Sequence, residues 1–547
     1  MKIRWILLLA LAAVVILSVP LDYSSANDEE SEDIEVPPAD DESDDGSDDY
    51  DDDDDEDKDW FEIDDITYVP ISDDEVYANQ CFQETTDVVI PPFVVYKDVT
   101  YEVVEISSIF ICTDLESITI PYTVRNIERG AMSYPTLKSL IVDEDNPEYR
   151  SLNGVLYNKD MSVLITYPAA KEGDRFLIPS VVTGLESYSF RDCDNLREIY
   201  LPERIYAIPE YAFDGCDNLY HINFNGERNV LPDSVRFIDE CAFGGCVSLT
   251  QLDLPDMMMY IGQMAFYNSG LTTFRVPAFI DYIGYCAFGG CKNLESIDAN
   301  NGHFESIDGV LFEYSGVEKI LHTYPNRQDE VYEIPEGTTR IKTFAFMGID
   351  HLKEAVIPPE MNYISSRSFA NCESLERITI PESVFIIEDA AFLGCSSLKD
   401  VILNKGLIRI GSQAFEATAI ETIDIPSTVK YINNSAFFFC KSLEYVDINS
   451  EKLIINSDVF CYCESLKEIN IYGTDINADV TAFSIIKNEE KLVIYIQKGV
   501  DLNFVPDPED NIEIKVFGKR PYPLENLLGV FVCALILIML LRTIRGV

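Results

Sequence analysis

Apolar residues recur along this chain in one fixed order: Leu, then Ile-x-Ile closed by Pro, then Val and Ile, then Ala-Phe, then Cys. Between Phe369 and Phe392, Leu375, Ile378 and Ile380 are apolar while Arg377 and Thr379 are polar. The period of two around Ile378 predicts a short strand over 377–380 with Ile inward and Thr outward. Pro381 ends it, because proline has no N–H to give a ladder. Val384 and Ile387 then supply inward positions on the return path. Asp389-Ala390-Ala391-Phe392 predicts a tight helical or 3₁₀ turn, with Ala allowing close approach and Phe filling the centre.

This order repeats. Its Phe residues are Phe190, Phe213, Phe243, Phe266, Phe288, Phe346, Phe369, Phe392, Phe415, Phe437, Phe460 and Phe483, with Phe110 and Met132 as weaker members upstream. Most neighbours in that series are 22 or 23 residues apart. So short a unit cannot bury its own apolar face, and the units must stack. The predicted fold is a β-rich solenoid over 106–483, with one short parallel strand per coil along one side. About fourteen coils at ~4.8 Å each would stack to about 70 Å.

Two intervals break the period, and they break it alike. Met132 to Phe190 and Phe288 to Phe346 each span 58 residues, 35 more than a repeat of 23. Both contain one phrase: Ser151-Leu152-Asn153-Gly154-Val155-Leu156-Tyr157 ending in Thr166-Tyr167-Pro168, and Ser306-Ile307-Asp308-Gly309-Val310-Leu311-Phe312 ending in Thr323-Tyr324-Pro325. Each insertion, near 143–175 and 299–331, reads as a β-hairpin looped out of the stack, either a recognition element or a cover for the flank. Solenoid ends also need closing. Strand-rich 60–105 is the predicted N-terminal β cap, and 484–520, with Leu492–Ile496 and Ile512–Ile514, the C-terminal cap and spacer.

The chain's 47% apolar content suffices for a continuous core, and its net charge of −56 is uneven. Asp28 to Asp59 holds 21 acidic residues against Lys58, so 27–59 is too charged to fold and reads as a disordered spacer. Nucleic acid is not an expected partner, since phosphate binding needs a basic surface. Asp41, Asp45, Gly46 and Asp52 nearly match a calcium loop, but an aspartate tract yields such matches by chance, and weak cation condensation is the better reading. Lys2 and Arg4 before apolar Ile6–Leu17, with Ser24-Ser25-Ala26 beyond, predict a secretory signal peptide over 1–26. Leu527–Leu541 is an uncharged apolar run of 15 residues followed by Arg542 and Arg545. With its flanks, 524–544 is the expected membrane anchor, leaving the N-terminus outside.

Eight of the 14 cysteines stand three residues after a Phe: Cys193, Cys216, Cys246, Cys291, Cys372, Cys395, Cys440 and Cys463. Stacked side chains about 4.8 Å apart and parallel suit a column of reduced, buried thiols better than disulfides, which need converging Cβ atoms at roughly 3.8 Å. The same axial spread argues against zinc. The four histidines, His221, His303, His322 and His351, form no metal pair, and no nucleophile elbow or phosphate loop occurs, so no catalytic residue, metal or cofactor is assigned. The outward position of the strand reads Thr119, Ile141, Tyr200, Asn223, Asp253, Arg275, Asp298, Val356, Thr379, Ile402, Asp424, Asp447 and Asn470, varied enough for recognition. Tyr200 and Arg275 in that row, with Tyr157 and Phe312 in the hairpins, are the candidate binding residues, as aromatic or Arg anchors.

Ser368–Pro381, Ala391–Leu398, the Asp308–Phe312 hairpin and the opening Val89-Ile90-Pro91 together resemble the BspA-type leucine-rich repeats, over roughly 63–516. The resemblance implies a right-handed solenoid, secreted or displayed at the cell surface and used in several members for adhesion. The apolar span with Arg542 and Arg545 is not shared by all members. The expected function is therefore adhesion or recognition through the solenoid face, toward a protein or glycan on another cell or matrix. A passive envelope or stalk protein, with weak cation binding by its acidic segment, is the alternative.

Overall fold

The computed structural model describes residues 60–81, 86–107, 115–484, 491–498, 500, 502 and 512–517. The predicted signal peptide (1–26), acidic segment (27–59) and anchor (524–544), and the early repeat mark Phe110, lie outside these residues. Among the described residues no helix is long and apolar enough to cross a membrane.

The predicted strand is present as Arg377–Ile380, with Ile378 and Ile380 buried and Arg377 and Thr379 exposed. It pairs in parallel with the coil on either side: Thr379 stands opposite Val356 and Ile402. Each coil also makes a second strand, which the sequence reading did not foresee. Ile386–Ile387 pairs in parallel with Tyr363–Ile364 and with Arg409–Ile410. The return path is extended and stacked at the same spacing, so its amides find partners one coil away, as Glu388 N does at Ile364 O (2.9 Å). The solenoid therefore carries two rows of parallel strands, the first and the second sheet, each row divided into several separately bonded segments.

The third side of the coil is not helical. Leu393 N donates to Ala390 O (3.1 Å), Cys395 N to Phe392 O (3.2 Å) and Leu398 N to Cys395 O (2.9 Å), a run of β-turns. Ala390 (φ 54°) and Gly394 (φ 71°) flank Phe392 in left-handed conformation, which stops a helix from forming there. The Gly of the Gly-Cys phrase has a second cause: a Cβ on Gly394 would lie 2.3 Å from Asn371 Oδ1 in the coil before.

Behind these turns the Phe residues form a stack. Phe346, Phe369, Phe392, Phe415 and Phe437 follow one another at centroid distances of 4.6, 5.3, 5.3 and 5.3 Å with nearly parallel rings. The cysteine column lies beside it and has a bonding task. Cys372 Sγ donates to Phe346 O (2.9 Å), Cys395 to Phe369 O (3.0 Å), Cys440 to Phe415 O (3.0 Å) and Cys463 to Phe437 O (3.2 Å). Each thiol thus satisfies a buried carbonyl of the preceding coil, whereas Thr418, in the Cys place of its own coil, donates its Oγ1 to Phe415 O (2.9 Å) of that same coil, beside the Cys440 thiol. The described cysteines are all buried, and Cys193, Cys216, Cys246, Cys291, Cys372, Cys395, Cys440 and Cys463 of the column are free thiols. Burial pushes the Cys440 thiol up to about 11, and a thiol so held is a poor nucleophile. The column is expected to react with an alkylating reagent only after unfolding and without prior reduction. Mass spectrometry finding Cys372 bonded to Cys395 would overturn this.

The hairpins are not looped out, and here the sequence reading is corrected. Each opens on an Asn that knits two coils: Asn146 Nδ2 donates to Pro121 O (2.8 Å) and Val124 O (2.9 Å), and Asn301 Nδ2 donates to Pro277 O and Ile280 O (both 3.3 Å). The turns Asn153-Gly154 (φ 52° and 79°) and Asp308-Gly309 (φ 50° and 81°) have the positive φ pairs of type I′ hairpins. Their glycine carbonyls accept Leu140 N and Ile297 N (2.9 and 2.8 Å), which seats the turns on strands of the first sheet. The third strand of each meander joins the second sheet, Val163–Thr166 beside Gly184–Leu185 and Glu318–Thr323 beside Thr338–Ile341. Tyr167 and Tyr324 then take the Phe place, stacking on Phe190 and Phe346 at 5.4 and 4.8 Å. Each insertion is thus a coil of the stack.

The middle strand of each meander is buried on both faces. Val155 and Tyr157 belong to the core running on to Leu311, whereas Leu156 belongs to the core of the N-terminal end. Val310 and Phe312 belong to the core that runs to Leu502, whereas Leu311 closes the preceding one. The N-terminal end is a sheet of Phe61–Ile63, Ile66–Pro70, Glu75–Cys81, Val99–Ile106 and Phe93–Tyr96 in that order. At the other end Leu492–Gln497 and Ile512–Phe517 extend the first sheet in parallel.

Candidate functional site

The four residues singled out from the sequence do not come together. Tyr157 and Phe312 are 1% and 0% exposed, so they are core residues and not surface anchors, because the hairpin strand that carries them is covered on both faces. Tyr200 is half exposed on the first sheet, and its hydroxyl donates to Glu198 Oε2 (3.0 Å). Arg275 is exposed in the same row and paired with Asp256 at 3.1 Å. Between them the row passes through Asn223, which is buried, and Asp253, which is exposed.

The second sheet carries a feature that the sequence reading missed. Its outward position, the residue before the inward Ile, is Phe237, Tyr260 and Tyr282 in three successive coils, in register. Tyr206 joins this row beside Phe237 at 5.5 Å between ring centroids, Phe237 and Tyr260 are 6.4 Å apart, and Tyr260 and Tyr282 stack at 5.0 Å. Tyr206 and Tyr282 are 57% and 43% exposed, where a polar residue would suit solvent better. The signal was legible in the phrases Arg-Phe-Ile, Met-Tyr-Ile and Asp-Tyr-Ile at 236–238, 259–261 and 281–283.

Beyond Tyr282 the row meets the second hairpin and opens into a groove of about 600 Å³, lined by Tyr285, Arg340, Lys342, Phe344, Tyr363 and Arg367 among others. Tyr285 and Phe344 stack at 5.9 Å. Arg367 lies over the Phe344 ring (5.8 Å) and Arg340 over that of Tyr363 (5.6 Å). Lys342 Nζ donates to Glu313 Oε2 (2.7 Å) and Ile283 O (3.3 Å), and burial lowers its pKa against the pull of Glu313.

Near this lysine, His322 is buried at the seam between hairpin and stack. One ring nitrogen, Nε2, is 2.9 Å from Ile283 O, and Nδ1 is 2.8 Å from Thr323 Oγ1. A carbonyl only accepts, so Nε2 carries the proton and Nδ1 accepts from the hydroxyl. Burial, and then the charge of Lys342, hold His322 well below its ordinary 6.5, so it is neutral in the fold. The unfolded chain takes up this proton more readily, so the stability tied to neutral His322 is present above pH 6.5 and lost as pH falls below it. Wild type is expected to lose more stability than His322→Gln between about pH 7.5 and about pH 5.5 in thermal melts. Equal losses would remove His322 as the cause.

No group of three or more His, Cys, Asp or Glu is placed to hold a metal ion among the described residues. The family model described as the BspA type leucine rich repeat region matches in six copies, over residues 98–151, 172–231, 226–333, 322–444 and 362–490. Among solved structures, a leucine rich cell surface protein from Faecalibacterium prausnitzii is 22% identical, over 76% of this chain and 95% of its own, with a TM-score of 0.43. The pneumococcal vaccine antigen PcpA is 18% identical over 84% of this chain and 99% of its own, with a TM-score of 0.38. A leucine-rich repeat protein from Bacteroides ovatus is 19% identical over 84% and 99%, with a TM-score of 0.29. A comparison with curated proteins finds no match.

Proposed function

The chain belongs to the BspA type leucine rich repeat family, and from that premise we propose that it is a non-enzymatic cell-surface protein of adhesion or recognition. It engages a protein or glycan of another cell or matrix through the outward rows of its coils. The observation that carries this reading is the outward aromatic row Tyr206, Phe237, Tyr260 and Tyr282, exposed at Tyr206 and Tyr282 and half-buried between them. Exposed aromatic rows give large contact area at small entropic cost, and they dominate binding where they occur. Tyr200 and Arg275 on the first sheet remain proposed secondary contacts. Secretion through 1–26 and retention by a segment at 524–544 complete the proposal.

The test is capture of cell-surface and matrix components by the purified chain and by a Tyr206→Ser, Tyr282→Ser double variant. Capture by the wild type, lost in the variant while its melting temperature is unchanged, is the expected result. Equal capture by both would remove the aromatic row from the site. No capture by either would favour the passive envelope role.

A further inference from the structure

Arg340 and Arg367 are both exposed, both line the groove beside the second hairpin, and neither has an ion pair among the described residues. The third cation there, Lys342, is engaged by Glu313. The first hairpin offers an internal comparison. It borders a groove of about 720 Å³ whose arginine, Arg129, is held by Glu186 (3.3 Å) and Glu210 (3.6 Å). Two grooves stand beside two look-alike hairpins, and only the second is lined by arginines without an ion pair among the described residues, although Glu313, Glu318 and Glu388 line it as well. Those groups sit over the aromatic rings of Phe344 and Tyr363, with Tyr285 stacked alongside.

We propose that this groove binds a carboxylate-bearing carbohydrate, a uronic or sialic acid residue of a longer glycan. The inference rests on the surface-recognition reading and names the ligand class for one of its sites. A sugar ring has an apolar C–H face that lies on an aromatic ring, and Tyr285, 40% exposed in the groove, supplies such a ring. Its carboxylate meets a planar guanidinium in a paired geometry that an ammonium does not offer. Its hydroxyls need acceptors, and Glu318 and Glu388 stand in the same groove. A densely acidic peptide fits less well, because the chain's own negative field opposes a polyanion, whereas one carboxylate on an otherwise neutral sugar meets little of it.

The experiment is titration calorimetry on the full chain with four probes: an oligogalacturonate, its methyl ester, a sialyl-lactose and an acidic peptide of matched charge. Either acidic sugar is expected to bind, with affinity at least tenfold lower for the methyl ester and for an Arg340→Gln, Arg367→Gln variant that melts as wild type does. Added salt should weaken the same binding. Arg129→Gln beside the first hairpin should leave it unchanged. Acidic sugars that bind wild type and the double variant alike, or that do not bind at all, overturn the proposal, as does tighter binding of the peptide. Capture of surface components that needs Tyr206 and Tyr282 but survives loss of both arginines would sink this inference and leave the recognition reading standing.

Discussion

Phe312→Ala is expected to cost the fold about 3–5 kcal/mol, the range for emptying a large buried aromatic site. Phe312 is fully buried, with Lys319 lying over its ring (4.9 Å), in a strand whose neighbouring residue Leu311 faces the core block on the other side. A cavity at this wall loosens the seam between two lengths of core as well as the site itself. Chemical denaturation of wild type and variant would measure the loss. Excision of 299–331 with the repeat register kept should do more and end cooperative unfolding, since it removes the coil that carries Tyr324 and both faces of the wall. An excision variant that melts as wild type does would restore the hairpin to a surface ornament.

The same hairpins show where sequence reading stops. The phrase Asp-Gly-Val-Leu-Phe announced a hairpin, and a tight turn followed by a strand is present. Val310, Leu311 and Phe312 in a row could not be assigned to one face by alternation, because a strand buried on both sides has no polar face to reveal it. The extra length of each interval suggested an excursion, yet Thr-Tyr-Pro at its end marked a coil with Tyr in the place of Phe. The first strand was read correctly because Pro381 punctuates it and Ile378 and Ile380 alternate with polar residues. The second strand is only two residues long, too short for a period to show, and its outward aromatic row went unnoticed with it. The groove arises from residues as distant as Tyr285 and Arg367, brought together by stacking, and no local pattern announces it. The thiol column was legible as buried and reduced, whereas the Phe carbonyl that each thiol serves lies one coil away and leaves no mark in the local pattern.

Phe415→Ala should also cost about 3–5 kcal/mol, but its spread along the chain should differ from that of a globular core. Phe415 is fully buried and stacked on Phe392 and Phe437, each at 5.3 Å, and its carbonyl accepts from both Thr418 and Cys440. A stacked array couples each coil mainly to its neighbours, so protection lost on removing one ring fades with distance. Hydrogen exchange should therefore rise at the amides of Phe392, Phe415 and Phe437, which bond from coil to coil, and hardly at Phe190 or Phe213. Thr379→Ala, on an exposed position of the first sheet, should cost under about 0.5 kcal/mol and move none of them. Comparable losses for Phe415→Ala and Thr379→Ala would mean that inward and outward are assigned wrongly. Equal exchange at both ends of the stack would mean that the coils unfold as one body, and the ring column would then be a single cooperative spine.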